Sequence, residues 1–154
     1  MRRTDREITD AAAIAAIMTR CRVVRLAMNR EGAPYILPLN FGMELDGMTI
    51  YVHGAAEGEK YRLLERDPRV AFEMDCILGM NMDEVHQECS TRYESVIGWG
   101  EAVEITEVEE KRRALKRIMA QYHREDFPFS EDPLPRTRVF KICVKERTAK
   151  ARNV

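Results

Sequence analysis

The chain has 154 residues, of which 45% are hydrophobic and 33% are charged. This length is typical of one domain with a sizeable core, so we expect residues 1–154 to form a single domain. The 25 basic and 26 acidic residues leave a formal net charge of −1. No global positive field therefore predicts nucleic acid or an anionic membrane as a partner. The apolar runs are too short for a transmembrane helix and the charged start is unlike a secretory signal, so we expect a cytoplasmic protein.

The four cysteines are spread along the chain without a CxxC pair, at Cys21, Cys76, Cys89 and Cys143. This spacing is unlike a disulfide framework, and it predicts reduced, mostly buried thiols. His86 and Cys89 are residues of metal-binding type, but a zinc site needs about four ligands at tight spacing. We predict no metal site.

The first half of the chain predicts a helix followed by a β-meander. Apolar residues at helical spacing indicate a helix over residues 10–21, capped by Thr9 or Asp10. Apolar alternation then predicts three strands, over residues 22–28, 35–41 and 48–53. Gly54 is expected to end the third strand, before a short helix over residues 57–66.

The second half predicts three further strands and a long helix. The strands are expected over residues 69–77, 91–105 and 137–146, with residues 79–90 as a loop. Gly98 and Gly100 indicate a bend or bulge within the middle one of these strands. Thr106 with Glu109 forms a capping-box pattern for a helix over residues 107–122.

Six strands joined mostly by hairpins, with three helices, indicate a mainly β (α+β) protein built on a small antiparallel barrel. The first three strands have no helix between them, which excludes parallel βαβ units there. A barrel of about six strands is filled by its own side chains. A sizeable ligand must therefore lie in a groove on the outside, which a second subunit could complete.

The segment His53–Lys60 is the most informative stretch for function. A strand ends at small residues, Gly54 and Ala55, and a helix begins near Gly58 and Lys60. Unpaired N–H groups at a helix start bind anions such as phosphate, and a lysine there is unfavourable unless an anion is close. The alternative is that neighbouring glutamates satisfy this helix end and that Lys60 is merely solvated.

A second unusual stretch is Pro38-Leu39-Asn40-Phe41, because proline and asparagine are poor choices within a paired strand. They predict a free edge or a bulge whose backbone groups are available to a ligand. The alternative is an ordinary edge strand protected against aggregation. His53, beside the predicted phosphate cradle, could donate to an anion or a substrate, although a lone histidine is usually structural.

Four stretches together resemble the split-barrel flavin-binding proteins related to pyridoxamine 5′-phosphate oxidase, and among them the 5-nitroimidazole resistance (Nim) branch. These stretches are residues 34–41, 51–55 with Gly58 and Lys60, 64–73 and 93–102. The similarity covers roughly residues 1–150. The combination is specific to the superfamily and much less specific to any one substrate.

The resemblance implies a homodimer with two FMN molecules in grooves between subunits. It implies that Pro38, Leu39, Asn40 and Phe41 line the isoalloxazine ring, and that His53, Gly54 and Ala55 with Gly58 and Lys60 hold the phosphate or ribityl end. Tyr93, Ser95 and Trp99 would contribute from near the interface. His53 is the implied catalytic residue.

We therefore expect an FMN-dependent oxidoreductase that reduces a small planar acceptor such as a nitroimidazole, with a transiently bound reduced nicotinamide as one candidate donor. One alternative is a haem-binding or haem-handling protein of the same fold, with His53, His86 or His123 as the axial ligand. Another is a flavin-binding sensor or carrier without turnover. Trp99 could also be a simple core anchor.

Overall fold

The computed structural model of the protein describes residues 4–122, 128, 130, 132 and 134–152. The helices are α1 (Ala11–Arg20), α2 (Glu59–Arg66) and α3 (Val108–Tyr122). The strands are β1 (Glu7–Ile8), β2 (Val24–Met28), β3 (Tyr35–Leu39), β4 (Phe41–Met43), β5 (Thr49–Ala55), β6 (Arg69–Asp83), β7 (Glu88–Ile105) and β8 (Thr137–Arg152).

The strands form one antiparallel sheet, and the predicted mainly β class with three helices is confirmed. The sheet has eight strands rather than six. One extra strand is the short β1, which pairs with β8 through Ile8 and Ala149. The other arises because the predicted strand over residues 35–41 is interrupted at Asn40 and continues as β4.

The sheet closes on itself at Asn40. Its strand order is β3-β2-β6-β7-β8-β5-β4, so the two end strands are the ones that follow each other along the chain. One residue joins them, and the sheet must curl until its edges meet. Pro38 lies in β3 opposite Arg25 of β2, in a strand that has a neighbour on one side only, which is where a proline is tolerated.

Apolar side chains fill the interior of the barrel. Among the largest fully buried side chains are Phe41, Leu26, Ile50, Met74, Val96 and Ile142. The first helix covers this core with Ile14, Ile17 and Met18. The Asp10 side chain accepts a hydrogen bond from the Ala13 N–H at 2.7 Å, so Asp10, one of the two predicted candidates, is the N-cap of α1. Among the described residues, these apolar side chains occupy the interior of the barrel.

The third helix packs on β4 and β5 and encloses a second core cluster. Its Leu115 and Ile118 lie against Tyr51 and Val139. Glu107 caps the helix, since its carboxylate accepts from the N–H groups of Glu109 and Glu110 at 2.9 and 2.6 Å. The predicted capping box of Thr106 with Glu109 is therefore wrong, because the next residue, Glu107, occupies the cap.

Residues 79–90 do not form the predicted loop. They belong to a long ribbon in which β6 and β7 remain paired as far as Asp83 and Glu88. The pairing register shifts between Ile77 and Gly79. This irregularity breaks the alternation of apolar residues that a sequence pattern relies on. A second shift, on the β8 side of β7 between Trp99 and Gly100, confirms the predicted bulge.

None of the helices in the described part of the chain is long and apolar enough to cross a membrane. All four cysteines are free. Only Cys21 is buried, while Cys76 and Cys143 are half-buried and Cys89 is exposed, so the expectation of mostly buried thiols is wrong.

Gly42 allows α3 to lie directly on β4, because a Cβ atom there would overlap the backbone of Arg117 and Ile118. We predict that Gly42→Ala destabilises the protein by about 2–3 kcal/mol, since neither backbone can yield without moving the helix. Urea unfolding measures this change. Leu45→Ala, which truncates a side chain that is 84% exposed, is the control and should stay within about 0.5 kcal/mol of the wild type. Equal stabilities of the two variants would contradict this packing.

Candidate functional site

The end of β5 and the start of α2 form a small junction around Gly54. Gly54 pairs with Arg138 of β8. A Cβ atom on Gly54 would overlap the Lys60 Nζ and the Tyr61 hydroxyl. The missing side chain thus lets the first turn of α2 lie against the strand. Gly58 is the N-cap residue of α2 and provides no side-chain hydrogen bond.

Lys60 is half-buried and lacks a carboxylate partner among the described residues. Its ammonium group donates to the His53 carbonyl at 3.2 Å and lies 4.9 Å from the Tyr61 ring centroid. Burial lowers the pKa of Lys60. A cation that is partly desolvated and has only a carbonyl and a ring beside it is stabilised by an anion. The structure therefore disfavours the alternative of a merely solvated Lys60.

Tyr61 and Arg138 belong to the same junction, and the sequence analysis missed both. Tyr61 is only 2% exposed, yet its hydroxyl has no hydrogen-bond partner in the described part of the chain. Its ring stacks on Phe140 with a centroid distance of 5.6 Å, and the Arg138 guanidinium lies 4.4 Å from its centroid. The ring is thus fixed, while its buried hydroxyl is unpaired among the described residues.

The sequence indicates a site residue at Tyr61 only weakly, and at Arg138 not at all. Tyr61 follows Lys60 in the first turn of α2, but an aromatic residue at such a position usually belongs to the hydrophobic core. Arg138 is brought to the junction only by the β5–β8 pairing. Its guanidinium is bound by Glu104 at 2.8 and 2.6 Å and by Glu65 at 2.8 Å. It therefore holds the Tyr61 ring from a fixed position.

His53 lies on the face of β5 that points toward α3, opposite Val139. Its Nδ1 atom is buried and has no hydrogen-bond partner among the described residues. Burial lowers the pKa of His53, and the Lys60 charge lowers it further. The imidazole is therefore neutral at pH 7, and its buried Nδ1 is left without a partner among the described residues.

The Pro38–Phe41 stretch lies at the closure of the barrel, next to this junction. Phe41 pairs with Val52, so Asn40 comes next to His53 along the edge of β5. Asn40 is exposed and outside both strands, which leaves its backbone groups free of the ladder. The Phe41 ring is fully buried, and its N–H donates to the Tyr122 hydroxyl at 3.0 Å. Pro38 and Asn40 are thus exposed at the closure, whereas the Phe41 ring is not.

The third group of predicted residues lies on the outer face of the sheet. Tyr93, Ser95 and Trp99 alternate along β7 and point away from the core. Trp99 is 46% exposed, so the alternative of a core anchor is wrong. A row across the sheet leads from Trp99 through Ala71 and Ala27 to Ile36, which is 62% exposed. These four residues border an apolar groove of about 400 Å³.

The structure brings the Pro38–Phe41 stretch next to the junction around Gly54. It leaves the residues of β7, namely Tyr93, Ser95 and Trp99, apart from both. His53 pairs with Val139 of β8, whereas Trp99 pairs with Glu146 of the same strand. These two positions are seven residues apart along β8, which corresponds to about 23 Å. One chain alone therefore does not form a site that includes both His53 and Trp99.

His86 lies away from this junction. His86 is at the tip of the β6–β7 ribbon, where its Nδ1 lies 2.8 Å from the Asp83 carboxylate. His123, the third candidate for an axial ligand, lies outside the described residues. Within the described part of the chain, no three His, Cys, Asp or Glu side chains cluster as metal ligands would.

The family model for pyridoxamine 5′-phosphate oxidase matches residues 10–151 of this chain. Among solved structures, a candidate 5-nitroimidazole antibiotic resistance protein from Bacteroides thetaiotaomicron is 32% identical, with a TM-score of 0.81. The match covers 94% of this chain and 86% of that chain. No curated protein matches this chain.

Two more distant structures share the fold. The flavocytochrome Anf3 from Azotobacter vinelandii is 19% identical, with a TM-score of 0.83 and coverage of 100% of this chain and 72% of that chain. The FAD and haem binding protein from Mycobacterium smegmatis is 18% identical, with a TM-score of 0.80 and coverage of 97% and 74%. At these identities the likeness concerns the fold alone.

The lowered pKa of His53 predicts a pH dependence of stability. As the pH falls below about 6.5, the unfolded chain takes up the proton first, so the free energy of unfolding decreases. His53→Gln should therefore lose less stability than the wild type between about pH 7.5 and 5.5. Urea unfolding of the cofactor-free protein measures both profiles. Parallel profiles would show that His53 is not buried in its neutral form.

Proposed function

Because this chain belongs to the pyridoxamine 5′-phosphate oxidase family, as its motifs predicted, we propose that it is a cytoplasmic FMN-dependent oxidoreductase. The acceptor we propose is a small planar molecule, with nitroimidazoles and other nitroaromatic compounds as the first candidates. The observation that carries the proposal is the Lys60 ammonium, half-buried without a carboxylate partner in the described chain, beside the unpaired hydroxyl of Tyr61.

The junction at Gly54 fits the phosphate end of FMN. Lys60 supplies a positive charge, Tyr61 supplies a hydroxyl donor, and the start of α2 supplies N–H groups that no side chain caps. Ala55 and Gly58 are small enough to let a phosphate approach the backbone. A bound phosphate would also raise the pKa of the partly buried Lys60 again, because an opposite charge stabilises the protonated form.

The flavin ring would lie outside the barrel, along the closure of the sheet. Pro38 and Asn40 are exposed there, and Leu39 between them faces the core. When bound, FMN supplies reversible two-electron chemistry, while the protein orients it and controls its surroundings. We assign His53 the part of contacting the acceptor or the phosphate, since its neutral ring keeps a buried nitrogen without a partner. A reduced nicotinamide is the proposed donor.

The proposal includes a homodimer, because one chain leaves the outer face of β7 far from His53. In a dimer, Tyr93, Ser95 and Trp99 of one subunit would complete the groove at the Gly54 junction of the other. The exposed row from Trp99 to Ile36 supports this arrangement, since soluble proteins seldom expose connected apolar surface without a partner.

A haem-binding protein remains the second candidate, and the observation that favours it is the same free Nδ1 of His53. An imidazole nitrogen without a hydrogen bond is a suitable axial ligand. Lys60 and Tyr61 would bind a haem propionate as well as a phosphate, so the cofactor itself has to distinguish the two candidates. A flavin carrier without turnover would use the same contacts as the enzyme.

Turnover separates the enzyme from the carrier. The purified protein loaded with FMN is mixed without oxygen with a reduced nicotinamide and a 5-nitroimidazole, and loss of the nitro-group absorbance is followed. We expect catalytic loss of many equivalents per protein. Flavin that stays bound without reducing the nitro compound would support the carrier, and binding of haem in place of flavin would support the second candidate.

Lys60→Ala should weaken FMN binding about ten- to a hundred-fold, because one charge-assisted contact to phosphate is lost. Titration of the cofactor-free protein, followed by flavin fluorescence, measures the affinity. Riboflavin, which lacks the phosphate, should bind the variant and the wild type equally. Arg66→Ala, at the other end of the same helix, is the matched control. Equal losses for FMN and riboflavin would contradict the assignment of Lys60 to phosphate.

Trp99 is the only tryptophan, which makes its fluorescence a direct probe of the proposed interface. FMN should quench this emission strongly. Trp99→Ala should weaken both the dimer and flavin retention, whereas Val103→Ala, farther along the same exposed face, should leave both unchanged. Analytical ultracentrifugation with absorbance detection measures dimer and flavin together. A monomer that keeps its flavin would contradict the proposed groove between subunits.

A further inference from the structure

Two of the four cysteines are in contact across the fold. The Cys76 thiol donates to the Cys21 sulfur at 3.3 Å, although 55 positions separate them in sequence. A disulfide needs a separation of about 2.05 Å, so the two sulfurs must approach by only about 1.2 Å. This contact has no part in the proposed flavin site.

The backbone around both cysteines is held in place. Gln121 donates to the Cys21 carbonyl at 2.8 Å, which fixes the end of α1. Arg20, the residue before Cys21, binds the carboxylate of Glu94 at 2.7 Å. Glu94 is only 7% exposed and is the cross-strand partner of Cys76 in the β6–β7 pair. The two sulfurs are thus brought together by an ion pair between their neighbours.

The two thiols differ in access to solvent. Cys21 is fully buried in the barrel core, and its thiol donates to the Ile17 carbonyl at 3.3 Å. Burial, followed by the contact with Cys76, raises the pKa of the Cys21 thiol. Cys76 is half-buried and lines a surface cavity of about 420 Å³. A small oxidant can therefore reach Cys76 first, with Cys21 directly behind it.

We propose that Cys76 and Cys21 are a site of reversible oxidation, at which a hydroperoxide converts the two thiols into an intramolecular disulfide. Cys76 loses its proton, its thiolate attacks one oxygen of hydrogen peroxide and the O–O bond breaks, which gives a sulfenic acid and a hydroxide that takes up the released proton to form water. The Cys21 sulfur then attacks the Cys76 sulfur, and the sulfenic hydroxyl leaves as water with the Cys21 proton. In sum, two thiols and hydrogen peroxide give one disulfide and two waters.

The disulfide would fasten the end of α1 to β6 and close a long loop. Cross-links over loops of this length stabilise proteins by restricting the unfolded chain. It would also protect Cys76, since a sulfenic acid captured by a neighbouring thiol does not proceed to irreversible oxidation. The disulfide would form whether or not flavin is bound.

The test treats the purified, reduced protein with hydrogen peroxide, removes the oxidant with catalase, and then alkylates the denatured chain. We expect two of the four thiols to become inaccessible to the alkylating agent, and a Cys21–Cys76 linked peptide in a non-reducing digest. Dithiothreitol should reverse both. The melting temperature should rise by about 5–10 °C on oxidation and return on reduction.

Cys76→Ser is the informative variant, because it changes the half-buried sulfur and leaves the buried one in place. It should lose both the linked peptide and the temperature shift. Cys143→Ser is the matched control, since Cys143 is also half-buried but lies opposite Thr49, and it should behave as the wild type. Irreversible oxidation of Cys76 with Cys21 still open to alkylation would overturn the proposal. Links only between chains through the exposed Cys89 would also overturn it.

Discussion

The closure of the sheet at Asn40 is the constraint on which the rest of the structure depends. The two edge strands are consecutive in the chain, so a single residue joins the ends of the sheet and the barrel has to form around whatever fills it. Apolar side chains such as Phe41 and Met74 fill its interior. The proposed flavin site therefore lies on the outside, at the closure itself, at the junction around Gly54 and at the exposed face of β7.

Electrostatics distinguishes these places from one another. At the junction, packing against Gly54 draws Lys60 out of solvent without giving it a carboxylate within the described residues, and it leaves the buried hydroxyl of Tyr61 unpaired. Such an arrangement costs stability unless a ligand supplies the missing anion and acceptor. The face of β7 is different, since its exposed Trp99 and Ile97 favour an apolar partner surface. In the proposed function, a phosphate binds at the junction around Gly54, and a second subunit packs on the outer face of β7.

Local pattern predicted most of the elements, and it failed where a contact between distant residues decides the outcome. Helical spacing and a capping residue located α1, and Gly98 with Gly100 located the bulge in β7. The ribbon of β6 and β7 was missed because a register shift at Gly79 hides its period. Lys60 could be selected from its position at a helix start, whereas Arg138 could not, because only strand pairing brings it to Gly54. The contact between Cys21 and Cys76 likewise arises from tertiary structure alone.

The central claim is that this filled barrel carries FMN on its outside, and the visible absorption spectrum of the protein as purified tests it most directly. The account predicts the paired bands of a flavin, near 375 and 450 nm, at about one flavin per chain, with release of FMN on denaturation. A single intense band near 400 nm, as haem gives, would contradict it. So would a colourless protein whose spectrum stays unchanged after incubation with excess FMN and removal of the unbound flavin.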